Sequence, residues 1–195
     1  MKKTIYILSA IAIIAITALA ACEQHIEVKT ATAEISKDSL IKRGEYLVSA
    51  VGCDDCHSPK KMGPNGLEII PELRFSGFPH DGTVPPVNTA EVEKGWVLFT
   101  GDLTSAVGPW GQSFAANITS DETGIGNWSE EQFMKAIREG KSKGLDGSRP
   151  LLPPMPWFVY RNFSDQDIKA IYTFLQSTRP VENLVPAPKT PDNLK

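Results

Sequence analysis

Two cysteines three positions apart, with a histidine directly behind them, form the stretch Cys53-Asp54-Asp55-Cys56-His57. The C-x-x-C-H spacing is that of covalent haem attachment. Each thiol can form a thioether to one of the two haem vinyl groups, and His57, next in line, is then carried beneath the ring as an iron ligand. One such motif predicts one covalent haem c, held by Cys53, Cys56 and His57. Two other chemistries compete for these residues. A zinc site asks for about four ligands in a tetrahedral set; beyond these three the chain offers only His80 or a carboxylate, and no second Cys or His pair. A redox disulfide would leave His57 without a task.

The sixth iron position needs a donor from elsewhere. Met62 lies five positions beyond His57, which would force the chain around the ring edge at once. Met134 sits beside an apolar helical stripe and reads as core. Met155 lies in Leu151-Leu152-Pro153-Pro154-Met155-Pro156-Trp157, where prolines on both sides fix the backbone. Met155 is therefore expected as the second metal ligand beside His57, Met/His ligation being an electron-transfer choice. Two alternatives stay open: Met155 as a pocket filler, and His80 as ligand, which would lower the potential.

These residues need elements to hold them. Leu40, Gly44, Leu47, Val48 and Val51 fall at helical spacing ahead of the motif, with Ser36 or Ser39 to start the helix and Gly52 to end it. Gly44 lies within the apolar stripe, where a missing side chain lets another helix cross closely. A second helix is predicted from Ser129, where Ser129 and Gln132 form a capping box and Trp128 and Phe133 a hydrophobic staple; Gly140 ends it. A third starts at Ser164, with Ile168, Ile171, Tyr172 and Leu175 on one face. Between them, 58–127 is rich in proline and glycine and reads as irregular, with strand or turn pieces near Trp96 and Phe99 and at most one weak helix. The fold class expected is mainly α: three principal helices around one haem, with a long irregular insertion.

Arg43-Gly44-Glu45-Tyr46-Leu47, the stretch from Asn117-Ile118-Thr119 to Gly124-Ile125-Gly126, Trp128-Ser129 and Met155-Pro156-Trp157 resemble class I cytochromes c. They are most similar to the haem domains of the cytochrome subunits of periplasmic alcohol, aldehyde and gluconate dehydrogenases. Those subunits usually carry three C-x-x-C-H motifs, and this chain carries one. The resemblance implies that the Gly44 helix crosses the Tyr172 helix and that Trp110 and Asn117 lie near the haem edge.

The compartment is legible at the start of the chain. Lys2 and Lys3 precede an apolar run over 5–21 that ends in small residues before Cys22, the pattern of a secretory signal. The cysteine after Leu19-Ala20-Ala21 makes it resemble a bacterial lipoprotein signal, with Cys22 as the lipidated N-terminus; an uncleaved membrane helix is the alternative. The expected organisation is a signal at 1–21, a lipidated tether at 22–35, a monohaem domain at 36–180 and a flexible Pro-rich tail at 181–195. The chain has 20 basic and 23 acidic residues. Without Lys2 and Lys3, 18 basic residues face the 23 acidic ones, a balance of −5, which gives no reason to invoke nucleic acid. The function expected is one-electron transfer between redox donor and acceptor proteins, extracytoplasmic and tethered to a membrane, with no catalytic residues. A sensor or enzyme with an open sixth iron position, and a fixed subunit of a dehydrogenase or oxidase, are the alternatives.

Overall fold

The computed structural model describes residues 35–194. The expectations placed on the signal, on Cys22 and on the tether up to residue 34 lie outside the described residues. Helix α1 (Lys37–Ala50) starts where the Ser36 hydroxyl accepts the Ser39 amide at 3.3 Å, and buries Leu40, Gly44, Leu47 and Val48 along one stripe. Gly52 then takes φ 74°, a left-handed conformation open to glycine at little cost, and turns the chain into the short helix α2 (Cys53–His57). The attachment motif is thus delivered by a sharp corner at the end of α1.

Two further long helices complete the scaffold. We number α3 (Thr89–Glu93), α4 (Glu130–Glu139), α5 (Trp157–Tyr160) and α6 (Asp165–Gln176) in chain order. Helix α4 is capped by Ser129, which accepts the Gln132 amide at 3.1 Å, and α6 by Ser164, which accepts that of Asp167 at 3.1 Å. Helix α6 buries Ile168, Ala170, Ile171, Phe174 and Leu175, and it meets α1 at Gly44. A Cβ placed there would sit 2.0 Å from the Ala170 carbonyl oxygen and 2.6 Å from the Phe174 Cβ. Arg43 donates to Asp167 at 2.9 Å beside the crossing. The shared core comprises Leu47, Val48, Phe75, Ile125, Phe133, Ile168, Ile171, Phe174 and Leu175.

In the stretch 58–127 the strand piece expected near Trp96 to Phe99 is present and α3 is the one weak helix, but the rest holds more strand than expected. It holds a hairpin, β1 (Lys60–Gly63) with β2 (Gly66–Ile69), and an antiparallel sheet in the order β3 (Leu98–Phe99), β4 (Ser105–Gly108), β5 (Gly111–Phe114). Every residue of β4 is buried. A strand covered on both faces shows no polar/apolar alternation, and Ser-Ala-Val-Gly carries no apolar run to reveal it.

The C-terminal segment also differs from the flexible tail expected at 181–195. Gln112 and Lys189 exchange both backbone hydrogen bonds, at 2.9 and 3.0 Å, so the chain returns to β5. Asn183 is buried; its amide group donates to the carbonyls of Ser76 at 2.7 Å and Phe78 at 2.9 Å. The prolines at 186 and 188 bar a continuous strand but suit an extended strap, whose backbone needs few hydrogen bonds. Among the described residues no helix is long and apolar enough to cross a membrane.

Gly44→Ala is expected to destabilise the protein by about 3 kcal/mol, since the added methyl meets backbone rather than a movable side chain. Gly101→Ala, with open space around the new Cβ, should stay within about 0.5 kcal/mol. Denaturant unfolding followed by circular dichroism compares the two; equal effects would contradict the close crossing.

Candidate haem site

The corner at Gly52 places Cys53, Cys56 and His57 on the wall of a cavity of about 730 Å³. Helix α6 supplies Ile168, Ile171 and Leu175 to the same cavity, α4 supplies Phe133, Ala136 and Ile137, and the sheet supplies Ala106 and Phe114. Met155 reaches it from the loop before α5, and residues 184–188 of the C-terminal strap close another side. The lining is largely apolar.

His57 is fixed in orientation. Its Nδ1 lies 2.7 Å from the Ala116 carbonyl oxygen. A carbonyl can only accept, so Nδ1 carries the proton and Nε2 keeps its lone pair, the form an iron ligand needs. Burial pushes the imidazole pKa down from its ordinary value, against the pull of the Ala116 hydrogen bond. The backbone is held as well, with the Gly77 amide donating to the His57 carbonyl at 2.8 Å.

The residues between the cysteines are structural. The Asp54 carboxylate takes two arms of the Arg74 guanidinium, at 3.0 and 2.8 Å, and the Ser58 hydroxyl at 2.7 Å; Ser58 in turn accepts the Phe75 amide at 2.9 Å. Such fork-to-carboxylate pairs add geometric specificity as well as energy. Both cysteines are free thiols. Burial, with Asp54 adding to it, pushes Cys53 up to about 12, and burial also raises Cys56. A dithiol built for disulfide exchange works through a lowered pKa, so this environment suits thiols destined for another bond. Among the described residues no three His, Cys, Asp or Glu side chains gather as a zinc site requires.

The Met155 loop is tied at several points. The Leu151 amide donates to the Gly140 carbonyl at 2.7 Å, Ser113 donates to the Pro153 carbonyl at 2.7 Å, and the Met155 amide donates to the Leu152 carbonyl at 3.2 Å. From the next helical turn, the Tyr160 hydroxyl donates to the Val51 carbonyl at 2.9 Å, linking this loop to the end of α1. Of the other candidates, Met62 is 75% exposed on β1. Met134 packs against the core. His80 is exposed and does not line the cavity; its amide donates to Asn183. Trp110 also stays off the cavity wall, covering Gly108 and donating to Ser113 at 3.2 Å. Asn117 does line it, but its amide is committed to the strap, donating to the Val181 carbonyl at 2.8 Å while its oxygen accepts from Thr119.

The donor set fits a haem. An oriented histidine with a free Nε2, two thiols on the same short helix and a thioether on a braced loop face one apolar cavity. The sequence reading missed the Ala116 carbonyl, Ser113, Tyr160 and Asn183. A backbone carbonyl has no residue identity to detect, and the other three act across 40 or more positions.

No family model matches the chain. The chain is 34% identical over 148 residues to the cytochrome c subunit of gluconate 2-dehydrogenase from Pantoea cypripedii, covering 75% of this chain and 25% of that one. It is 32% identical over 152 residues to the cytochrome subunit of fructose dehydrogenase from Gluconobacter japonicus (77% and 23%), and 32% identical over 155 residues to the cytochrome c subunit of quinone alcohol dehydrogenase from Gluconobacter oxydans (77% and 24%). Its homologues are thus cytochrome c subunits of dehydrogenases, which supports a class I-like cytochrome fold. The chain spans about a quarter of the length of these relatives.

Asn183→Ala removes two donors to buried carbonyls and one acceptor, and is expected to cost about 2–4 kcal/mol. Thermal unfolding with a hydrogen-exchange readout at the His80 amide checks it. Unchanged protection there would mean that the strap is not held by this side chain.

Proposed function

We propose that this chain is a monohaem c-type cytochrome that carries single electrons and does not itself transform a substrate. The observation carrying this reading is that Cys53, Cys56, His57 and Met155, drawn from segments about a hundred residues apart, line one apolar cavity. A haem bound there supplies a one-electron couple. The chain does the rest. Cys53 and Cys56 tether the group, and His57 offers Nε2, its proton held on Nδ1 and donated to the Ala116 carbonyl. Met155 offers a thioether from a loop pinned to Gly140 and Ser113. The aliphatic and aromatic walls exclude water and disfavour the more highly charged ferric state, which together with a thioether ligand raises the potential.

Homology to dehydrogenase cytochrome subunits supports an extracytoplasmic dehydrogenase as the electron donor and a second redox protein as acceptor. Lipidation at Cys22 would hold the domain at a membrane outside the cytoplasm, within reach of both. The relatives are subunits of larger enzymes, so permanent residence in such a complex is the second reading. Copurification with a large partner from detergent-solubilised membranes supports it; recovery of the chain alone supports a mobile carrier.

Three outcomes are expected. Mass spectrometry of the protein from cells competent in haem attachment should show one haem retained in denaturant, and an apo mass sinks the proposal. Met155→Ala should abolish the weak near-infrared sulfur-to-iron charge-transfer band of the oxidised protein, lower the potential and open the iron to carbon monoxide, while Met62→Ala and Met134→Ala keep the band. If Met155→Ala leaves the spectrum untouched and His80→Ala changes it, the ligand role passes to His80. Cys22→Ser should release the domain from membranes or leave an unprocessed precursor; a mature protein still membrane-bound would disprove lipidation.

A further inference from the structure

We propose that Lys60 is a positioning residue of the haem site, its ammonium fixing the end of the attachment helix against the loop that carries Leu103 and Thr104 and setting the redox potential through its charge. The inference rests on the haem reading above. Helix α2 is only five residues long, and the last carbonyls of any helix lack intrahelical partners. Lys60, at the start of β1, turns back onto them. Its Nζ donates to the carbonyl oxygens of Asp55 at 2.7 Å, Ser58 at 2.8 Å and Asp54 at 3.0 Å, and to that of Asp102 at 3.2 Å. Three protons serve four acceptors, so the ammonium is fully engaged and at least one bond is shared.

The fourth acceptor gives the arrangement its reach. Asp102 belongs to the loop between β3 and β4, whose next residues, Leu103 and Thr104, line the cavity. One side chain therefore joins the helix carrying Cys56 and His57 to a wall built from residues more than forty positions later.

Among the described residues no carboxylate forms a direct ion pair with the Lys60 charge. The Asp54 carboxylate is taken by Arg74 and Ser58, and the Asp102 carboxylate by Thr100 and Thr104. Lys60 contacts only the carbonyls of these residues. A positive charge near an iron centre that gains one more positive charge on oxidation favours the ferrous state. The ammonium lies against the carbonyls of Asp55 and Ser58, the residues adjoining Cys56 and His57.

The test compares haem-loaded wild type with Lys60→Gln, Lys60→Arg and Lys61→Gln by redox titration followed in the haem absorption bands. Lys61→Gln removes the same charge from the exposed neighbouring residue. Lys60→Gln is expected to shift the ferrous/ferric equilibrium threefold to tenfold toward ferric, a potential lower by about 30–60 mV at about 59 mV per tenfold. Lys60→Arg should recover at least half of that shift, and Lys61→Gln should move it less than twofold. A lowered melting temperature with an unchanged potential in Lys60→Gln overturns the proposal, as does a shift in Lys60→Arg or Lys61→Gln as large as that in Lys60→Gln. Should Lys60→Gln yield no holoprotein, the wild-type Lys60 ammonium resonance in nitrogen-15 NMR decides. Slow exchange with water and a chemical shift that changes with iron oxidation state support the role; a fast-exchanging, redox-insensitive signal ends it. Wild type lacking haem would instead overturn the underlying haem reading.

Discussion

Helices α1 and α6 touch backbone to backbone at Gly44, and most of the site follows from that contact. The Ala170 carbonyl occupies the space where a side chain would stand. This closeness brings Ile168, Ile171 and Leu175 of α6 into the cavity that α1, through the corner at Gly52, supplies with Cys53, Cys56 and His57. A wider crossing would separate Cys53, Cys56 and His57 from the apolar surface of α6. The Arg43–Asp167 pair at the rim is half exposed and adds little energy.

Around this crossing the chain solves a problem of polarity. The cavity wall must be dry, yet the loops that form it carry amide and carbonyl groups that need partners. Two asparagines do much of this. Asn117 ties the 117–123 turn to the strap, and Asn183 ties the strap to the carbonyls of Ser76 and Phe78. No buried side-chain nitrogen or oxygen among the described residues is left without a partner. These polar groups are satisfied by one another, and the cavity walls stay largely apolar.

The legible part of this design was the local part. C-x-x-C-H names its chemistry within five residues, and the three long helices announce themselves through period and caps at Ser36, Ser129 and Ser164. The Met155 loop stood out because three prolines in four residues are informative whatever surrounds them. The hidden part is long-range. Nothing in Ser105-Ala106-Val107-Gly108 marks a strand, because its burial on both faces is conferred by neighbours the sequence does not name. The prolines near the C-terminus read equally well as an unattached tail or as an extended strap. The pairing of Lys189 with Gln112, 77 positions earlier, and the bonds of Asn183 separate the two.

That pairing also governs how the molecule meets its own copies. A sheet of three strands has two open edges, and an open edge invites a strand from another chain. Here β3 is two residues long, too short to template such an addition. Strand β5 is the longer edge, and the returning chain occupies its Gln112 backbone groups while the Lys189 carbonyl crowds Gly111. The prolines that flank Lys189 lack the amide hydrogens needed to extend the ladder outward. The three-stranded sheet thus offers a neighbouring copy no free edge long enough to join, and the segment that walls the cavity doubles as a guard for that edge.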